Sequence, residues 1–268
     1  MKLIQSMSAL ASVPLLVLTL MLPLSAQSVP PTGAFGFLLT TSFSNPDNQG
    51  GAAILGKMNF DGAGRVSGPY TLEFGSGGPG PVQTITGRFA GSYSSNADGS
   101  GSVTIHLDNG VTLTLAMVIA DAGHGLEFIV TSCSGGFDLG VSVAGGFAAH
   151  AKNTVTAGLG ALNGTYGGQF SFSPQPSRSN ALVSFDGAGN TTMTSTFVSV
   201  GPSVSTDVYP GAYTVNTNGT GTITLFAVPN QGPQTFSFVI TDEGGPGLLL
   251  LQTDRLGNGV AFGSTRRR

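Results

Sequence analysis

The feature that most constrains the fold is an internal duplication. Four segments of the first half recur in the same order in the second half, which indicates a duplicated unit of about 120 residues. The matched pairs are GAFGFLLTTSF (33–43) with GTYGGQFSFSP (164–174), FDGAG (60–64) with FDGAG (185–189), GSYSSNADGSGSVTI (91–105) with GAYTVNTNGTGTITL (211–225), and AMVIADAGHGLEFIVTS (116–132) with FSFVITDEGGPGLLLLQTD (236–254). The chain is therefore expected to fold as two similar units in tandem.

The duplication and the N-terminal composition together give a domain plan. Residues 1–26 are predicted to be a signal peptide, 27–150 the first β repeat, 151–162 a linker and 163–268 the second β repeat. The signal peptide prediction depends on Lys2, a short apolar run VPLLVLTLMLPL and small residues before position 27. We expect a secreted or periplasmic protein after Sec-type export, which contacts a membrane only during export.

Within each copy the apolar residues recur with a period of two. In VTLTLAMVIAD (111–121) and QTFSFVITD (234–242) apolar residues alternate with Thr, Ser or Ala, which is typical of half-buried antiparallel strands. Clusters of Gly, Asn, Asp and Pro separate about eight such strands in each copy. The fold class is therefore predicted as all-β, with two tandem antiparallel meanders of about eight strands, each a small barrel or curled sheet. Two β-sandwiches are the alternative.

The repeated FDGAG segments have two interpretations, a calcium loop and a β-turn. Asp61 and Asp186 each precede a glycine between two strands, where a tight turn requires positive φ. Asp98 of the first copy aligns with Asn218 of the second, and a turn accepts either residue, whereas a calcium site loses a charged ligand. The sequence therefore favours turns over metal ligands.

The remaining polar residues show no pattern typical of a catalytic centre. His106, His124 and His150 lie on different predicted elements and have no counterparts in the second copy. Glu73, Glu127 and Asp138 of the first copy could formally supply the carboxylate pair of a glycosidase, but they also have no counterparts in the second copy. No G-x-S-x-G nucleophile motif is present. We assign no catalytic, cofactor-binding or metal-ligating residue, and we expect a protein that is not an enzyme and needs no cofactor.

Composition argues against a nucleic-acid partner and against a fold stabilised by disulfides. The chain carries 10 Lys and Arg against 13 Asp and Glu, with a basic cluster only at Arg266–Arg268, so a nucleic-acid partner is not expected. The single cysteine, Cys133, cannot form an internal disulfide, so the fold must be stabilised by its core.

The strings NGTYGGQFSF, FDGAGN, GAYTVNTNGTGTITL and FSFVITDEGG resemble those of uncharacterised secreted proteins from soil bacteria that carry tandem copies of such a β repeat. The likeness covers nearly all of the chain after the signal peptide and involves turn and strand residues. It implies a lipocalin-like or avidin-like outline without the ligand residues of those families, and it transfers no functional residue.

Three functions are compatible with these observations. The leading prediction is a secreted, non-catalytic β-barrel protein that binds a small apolar ligand or makes surface interactions, for example with a cell-surface component, through loops such as 74–84 and 198–207. A structural or adhesive extracellular protein without a ligand is the second. An outer-membrane barrel with all strands in one sheet is the third, although the chain has no Trp and only 5 Tyr for aromatic girdles.

Overall fold

The computed structural model describes residues 29–44, 49–75, 83–120, 124–135, 144–151, 158–173, 177–198, 204–228, 232–242, 247–254 and 260–267. The predicted signal peptide, Asp138, and most of the two loops proposed as a contact surface lie outside the described residues.

Within the described residues, sixteen strands form two closed antiparallel barrels of eight strands each. The strands of barrel 1 are β1 (Thr32–Ser44), β2 (Gln49–Asp61), β3 (Arg65–Gly75), β4 (Gln83–Ser95), β5 (Ser100–Leu107), β6 (Thr112–Ala120), β7 (Gly125–Ser134) and β8 (Ala144–His150). Those of barrel 2 are β9 (Asn163–Ser173), β10 (Ser177–Asp186), β11 (Asn190–Val198), β12 (Val204–Val215), β13 (Thr220–Val228), β14 (Gly232–Thr241), β15 (Gly247–Gln252) and β16 (Val260–Arg267). Within each barrel consecutive strands pair with one another, and the last strand pairs with the first to close the barrel.

This architecture confirms the predicted pair of tandem eight-stranded meanders. The alternative of two β-sandwiches is wrong because both sheets close on themselves. A single sheet containing all strands is also wrong, since the strands divide into two separate barrels. In the described part of the chain, helix is confined to a 3₁₀ turn at Leu159–Ala161, and no helix there is long and apolar enough to cross a membrane.

Apolar side chains fill the barrels because every second residue of a strand points inward. In barrel 1 the innermost side chains include Phe37, Met58, Ile105, Leu115 and Met117, each at most 1% exposed. An eight-stranded barrel has an interior just wide enough for side chains to fill it. The sequence alternation therefore becomes an apolar inside and a Ser- and Thr-rich outside.

Glycine at inward positions allows the sheets to curl this tightly. Gly91 of β4 and its equivalent Gly211 of β12 lie directly against the neighbouring strand. A Cβ atom at either position would overlap a backbone carbonyl oxygen, that of Thr104 or Thr224. Such positions account for part of the high glycine content, since strongly curved sheets use glycine where backbones approach closely.

An aromatic layer closes the base of each barrel, the end that contains the β2–β3 turn or the β10–β11 turn. In barrel 1, Phe60 packs edge-to-face on Phe35 and on Tyr93, with ring centroids 5.5 and 4.9 Å apart. In barrel 2, Phe185 packs in the same way on Tyr166 and Tyr213, at 5.3 and 4.9 Å. Edge-to-face geometry is a favourable arrangement for aromatic pairs.

One tyrosine of each layer, Tyr93 in barrel 1 and Tyr213 in barrel 2, also hydrogen-bonds to the segment that precedes the first strand of its barrel. The Tyr93 hydroxyl donates to the carbonyl oxygen of Pro31 at 3.1 Å. The Tyr213 hydroxyl lies 2.8 Å from the carbonyl oxygen of Leu159 and 3.0 Å from that of Leu162. The tyrosine of the matched segments GSY (91–93) and GAY (211–213) thus anchors the chain where it enters each barrel.

The two barrels pack side by side through an apolar seam made of outward-facing residues. Its buried members come from β1, β2, β14, β15 and the residue after β8: Ala34, Leu38, Ala53, Leu55, Ala151, Val239, Leu249 and Leu251. Polar contacts flank it, with Lys57 Nζ donating to the carbonyl oxygen of Asn218 at 2.9 Å and the Asp242 N–H donating to that of His150 at 2.7 Å.

Both ends of the segment predicted to be the linker are packed against the barrels. The N–H of Ala151 donates to the carbonyl oxygen of Ala34 at 2.8 Å, and Ala151 forms an isolated β-bridge with Thr241 of barrel 2. At the other end Leu162 is fully buried. Residues 152–157 lie outside the described residues.

The aromatic layers generate a prediction about two tyrosine hydroxyls. Tyr213→Phe should lower the free energy of unfolding by about 1 kcal/mol, because the hydroxyl that fastens Leu159 and Leu162 is lost. Tyr166→Phe should leave stability unchanged or raise it, because the buried Tyr166 hydroxyl has no hydrogen-bond partner among the described residues and the equivalent residue of barrel 1 is Phe35. Urea unfolding of both variants measures the difference, and equal losses would contradict it.

Candidate functional site

The two FDGAG segments form the same turn, as the sequence indicated. Oδ1 of Asp61 accepts hydrogen bonds from the backbone N–H groups of Ala63 and Arg65 at 2.7 and 2.9 Å, and Oδ1 of Asp186 accepts the two equivalent bonds at 2.7 and 3.0 Å. The bonds from Arg65 and Ala63 keep the pKa of Asp61 below its usual value. Both glycines of the first segment have positive φ, 76° at Gly62 and 93° at Gly64.

The same segments also support the aromatic layers. The carbonyl oxygen of Gly64 accepts the N–H of Tyr93 at 2.9 Å, and that of Gly189 accepts the N–H of Tyr213 at 2.8 Å. The phenylalanine of FDGAG supplies the central ring of each layer. The motif is thus repeated because it builds the base of both barrels.

A second type of turn, in NADGS (96–100) and NTNGT (216–220), has the same geometry in both copies although Asp98 is replaced by Asn218. Oδ1 of Asp98 accepts from the N–H and hydroxyl of Ser100 at 2.9 and 2.7 Å. Oδ1 of Asn218 accepts from the N–H and hydroxyl of Thr220 at 3.1 and 2.7 Å. A carboxylate and an amide side chain each have an oxygen that can accept these hydrogen bonds, so either residue stabilises the turn.

Two of the three histidines meet at the base of barrel 1, which the sequence did not indicate. The rings of His124 and His150 lie 5.6 Å apart, and His150 also packs on Phe35 at 4.5 Å. Burial, and then the neighbouring His124, lower the pKa of His150, while Asp242 of barrel 2 opposes this shift. His106 is separate on β5, with Nδ1 2.9 Å from the Thr112 hydroxyl. Among the described residues no three His, Cys, Asp or Glu side chains lie close enough to hold a metal ion.

The carboxylates considered for glycoside hydrolysis do not converge. Glu73 is fully buried on the outward face of β3, where it accepts a hydrogen bond from the Thr84 hydroxyl at 2.7 Å. Glu127 is exposed on β7, four strands away around the barrel. Asp138 lies outside the described residues, so the described pair offers no shared site for a glycosidic bond.

An apolar recess opens at the mouth of barrel 1, the end opposite the aromatic layer, and encloses about 40 Å³. It is lined by Leu39, Thr40, Thr41, Ala52, Ile54, Leu72, Leu107, Val111, Leu113, Val130 and Cys133. A volume of this size holds roughly three water molecules. Cys133 is half-buried at its edge, and burial raises the pKa of the thiol.

Barrel 2 differs from barrel 1 at inward positions: phenylalanine replaces Leu39, which lines the recess, and Leu115, which does not, while Ser179 replaces the lining residue Ile54. The strand registers align Leu39 with Phe170 and Leu115 with Phe236. The rings of Phe170 and Phe236 pack edge-to-face with centroids 5.6 Å apart. Comparing the aligned copies for a change from Phe to Leu at inward positions would have indicated this difference from the sequence.

A polar network beside the mouth was also missed by the sequence analysis. The Asp108 carboxylate accepts the Tyr70 hydroxyl at 2.9 Å and the backbone N–H of Arg88 at 2.8 Å. Burial, followed by the hydrogen bond to Asp108, raises the pKa of Tyr70 to about 12. The network fixes the β5–β6 turn against β4, because Asp108 also covers Gly87, where a Cβ atom would meet its carboxylate.

Comparisons with known proteins give no functional information. No family model matches the chain, and no curated protein matches it. A search of solved structures finds the crystal structure of a candidate AttH protein from Nitrosomonas europaea, with 9% identity over 87% of this chain and 92% of that chain and a TM-score of 0.32. At this TM-score the likeness carries no argument about either fold or function.

The turn geometry predicts the response to two substitutions. Asp61→Asn should leave the melting temperature nearly unchanged, because an amide oxygen can accept the same two backbone bonds, whereas Asp61→Ala should lower it. Thermal unfolding with and without added calcium measures both. A large loss in Asp61→Asn, together with calcium-dependent stabilisation of the original chain, would instead indicate a metal site.

Proposed function

We propose that the chain is an exported, non-catalytic binding protein that takes the apolar tip of a ligand into the mouth of barrel 1. The observation that carries this proposal is the difference between the copies. An apolar recess lined in part by Leu39 is present in barrel 1, while the equivalent position in barrel 2 carries the ring of Phe170, which packs on Phe236.

The lining determines which ligand group suits the recess. The side chains around it are aliphatic or small, with Thr and Cys as the polar members, and none carries a charge at neutral pH. Water there has few hydrogen-bond partners, so an apolar group displaces it favourably. A slim hydrocarbon end is preferred over a charged head group.

The enclosed volume limits how much affinity the recess can supply. Two or three methylene groups contribute about 2 kcal/mol when buried, which alone gives binding weaker than millimolar. The rest of the ligand must therefore contact the rim of the mouth. We infer a ligand with a slim apolar end and a larger remainder.

Export and the absence of catalysis belong to the same proposal. Export is supported by the short apolar run after Lys2 and by the resemblance to secreted β-repeat proteins. The non-catalytic role is supported by the separation of Glu73 from Glu127 around the barrel. No cofactor or nucleic-acid partner is proposed.

A structural or adhesive role is the second candidate, favoured by the outer surface. Hydroxyl groups pair across neighbouring strands, with oxygens 3.0 Å apart in Ser94 and Ser102 and 2.8 Å apart in Thr214 and Thr222. An outer-membrane barrel is disfavoured by the same surface, because such barrels have an apolar outside and a polar inside.

Exchanging the equivalent residues between copies tests the recess. Leu39→Phe should fill the recess and weaken the binding of straight-chain alcohols at least about tenfold, whereas Phe170→Leu should open a similar space in barrel 2. Methyl NMR shifts of Ile54, Val111 and Leu113 during titration with butanol to decanol report binding in barrel 1.

The wild-type protein should bind longer alcohols more tightly than shorter ones. Unfolding temperatures show whether the two variants are folded. The proposal is wrong if no alcohol shifts these methyl groups, or if Leu39→Phe binds as tightly as the original chain.

A further inference from the structure

A groove runs beside the seam between the two barrels. Two convex barrels that touch along a line leave a groove next to that line, and this one has a volume of about 420 Å³. Its floor includes Leu55 and Val239, which belong to the seam. The volume is typical of small-ligand sites in proteins.

Both walls of the groove are made mainly of hydroxyl and amide side chains. Barrel 1 contributes Thr71 and Thr86, which are direct neighbours on β3 and β4. Barrel 2 contributes Thr222 and Ser237, which are direct neighbours on β13 and β14, and Asn218 from the adjoining turn. A ligand between the walls therefore meets donors and acceptors on two sides.

The walls are held at a fixed distance from one another. Lys57 of barrel 1 is only 5% exposed, and its ammonium group donates to the carbonyl oxygen of Asn218 in barrel 2 at 2.9 Å. The side chain of Asn218 is in turn fixed by the N–H and hydroxyl of Thr220. Because these groups are already ordered, a ligand loses less free energy to ordering the site.

Arg88 is the only charged residue among the described residues that line the groove. Its side chain is exposed on β4, and its backbone is fixed by the N–H bond to Asp108. A highly charged ligand would find one cation there, whereas a neutral ligand with many hydroxyl groups can pair with amide, hydroxyl and guanidinium groups alike.

The groove thus combines an apolar floor with hydroxyl and amide walls. A sugar ring has matching surfaces, with C–H groups on its faces and hydroxyl groups around its rim. We propose that the groove is a binding site for a polyhydroxylated ligand, a neutral or singly charged oligosaccharide. This site is separate from the recess in barrel 1 and does not depend on the function proposed for it.

A blocking substitution on the exposed wall tests the site. Thr86→Trp places a large ring in the groove, and Ser92→Trp is its matched control, since Ser92 is exposed and outward on the same strand but does not line the groove. Arg88→Gln removes the charged donor while keeping a side chain of similar reach. Thermal unfolding of the full chain shows whether each variant is folded.

The probes are hexasaccharides of glucose, xylose and N-acetylglucosamine, measured by calorimetry, and insoluble cellulose and chitin, measured by sedimentation. We expect at least one probe to bind, Thr86→Trp to weaken its binding at least about tenfold, Arg88→Gln to weaken it about threefold, and Ser92→Trp to leave it unchanged. Binding to the soluble sugars identifies a free oligosaccharide, and binding to the polymers alone identifies a surface glycan. The inference is overturned if no probe binds in either arm, or if Thr86→Trp binds as tightly as Ser92→Trp.

Discussion

The closure of eight strands into a barrel is the constraint on which the rest of the structure depends. Eight strands leave an interior that ordinary core side chains nearly fill, so a ligand can enter only where those side chains are small. Leu39 lines the recess of barrel 1, and Phe170 is the larger side chain at the equivalent position of barrel 2. The binding capacity of such a barrel is therefore determined by a few side-chain volumes at its mouth, while the backbone stays the same.

The seam between the barrels is a local exception to the polar outside that closure produces. Leu38, Leu55, Leu249 and Leu251 point outward from their own barrels, yet each is at most 2% exposed. Burying side chains of this size contributes about 1.5 to 3 kcal/mol each. The Lys57 ammonium, which is buried nearby, has a carbonyl partner in Asn218. The seam makes one rigid groove from two surfaces that would otherwise be ordinary barrel exteriors.

The fold was predictable from the sequence because it depends on local rules. Period-two alternation of apolar residues determines the strands, and Asp-Gly or Asn-Gly segments determine the turns. The duplication shows that the same strand and turn patterns occur in both copies. The recess, the histidine pair and the groove were not predictable in this way, because each brings together side chains from strands far apart in the chain.

The seam did leave a signal in the sequence. The run AAIL at 52–55 and the run LLLL at 248–251 interrupt the period-two pattern. A strand that is apolar on both faces is covered on both faces, which these segments are. Reading the two runs as ordinary strands concealed the contact between the barrels.

The seam also has a direction, because it joins unlike faces of two like barrels. Barrel 1 contributes the outer face of β1 and β2 to the seam, whereas barrel 2 contributes the outer face of β14 and β15. Each barrel therefore leaves outside the seam the face that is equivalent to the one its neighbour contributes. In barrel 2 that remaining face is polar, with the Gln169 amide donating to Asn180 at 3.2 Å. In barrel 1 it presents Val118 and Ile129, 54% and 62% exposed, where barrel 2 has Val239 and Leu251, and between them the exposed Glu127, where barrel 2 has Leu249.

Contacts between unlike faces are those that build open rows of subunits, whereas contacts between identical faces build closed pairs. This two-barrel chain is therefore a row of length two with different ends. The end at barrel 2 is terminated by amide side chains, and the end at barrel 1 is terminated by the Glu127 carboxylate, which lies where the seam has Leu249.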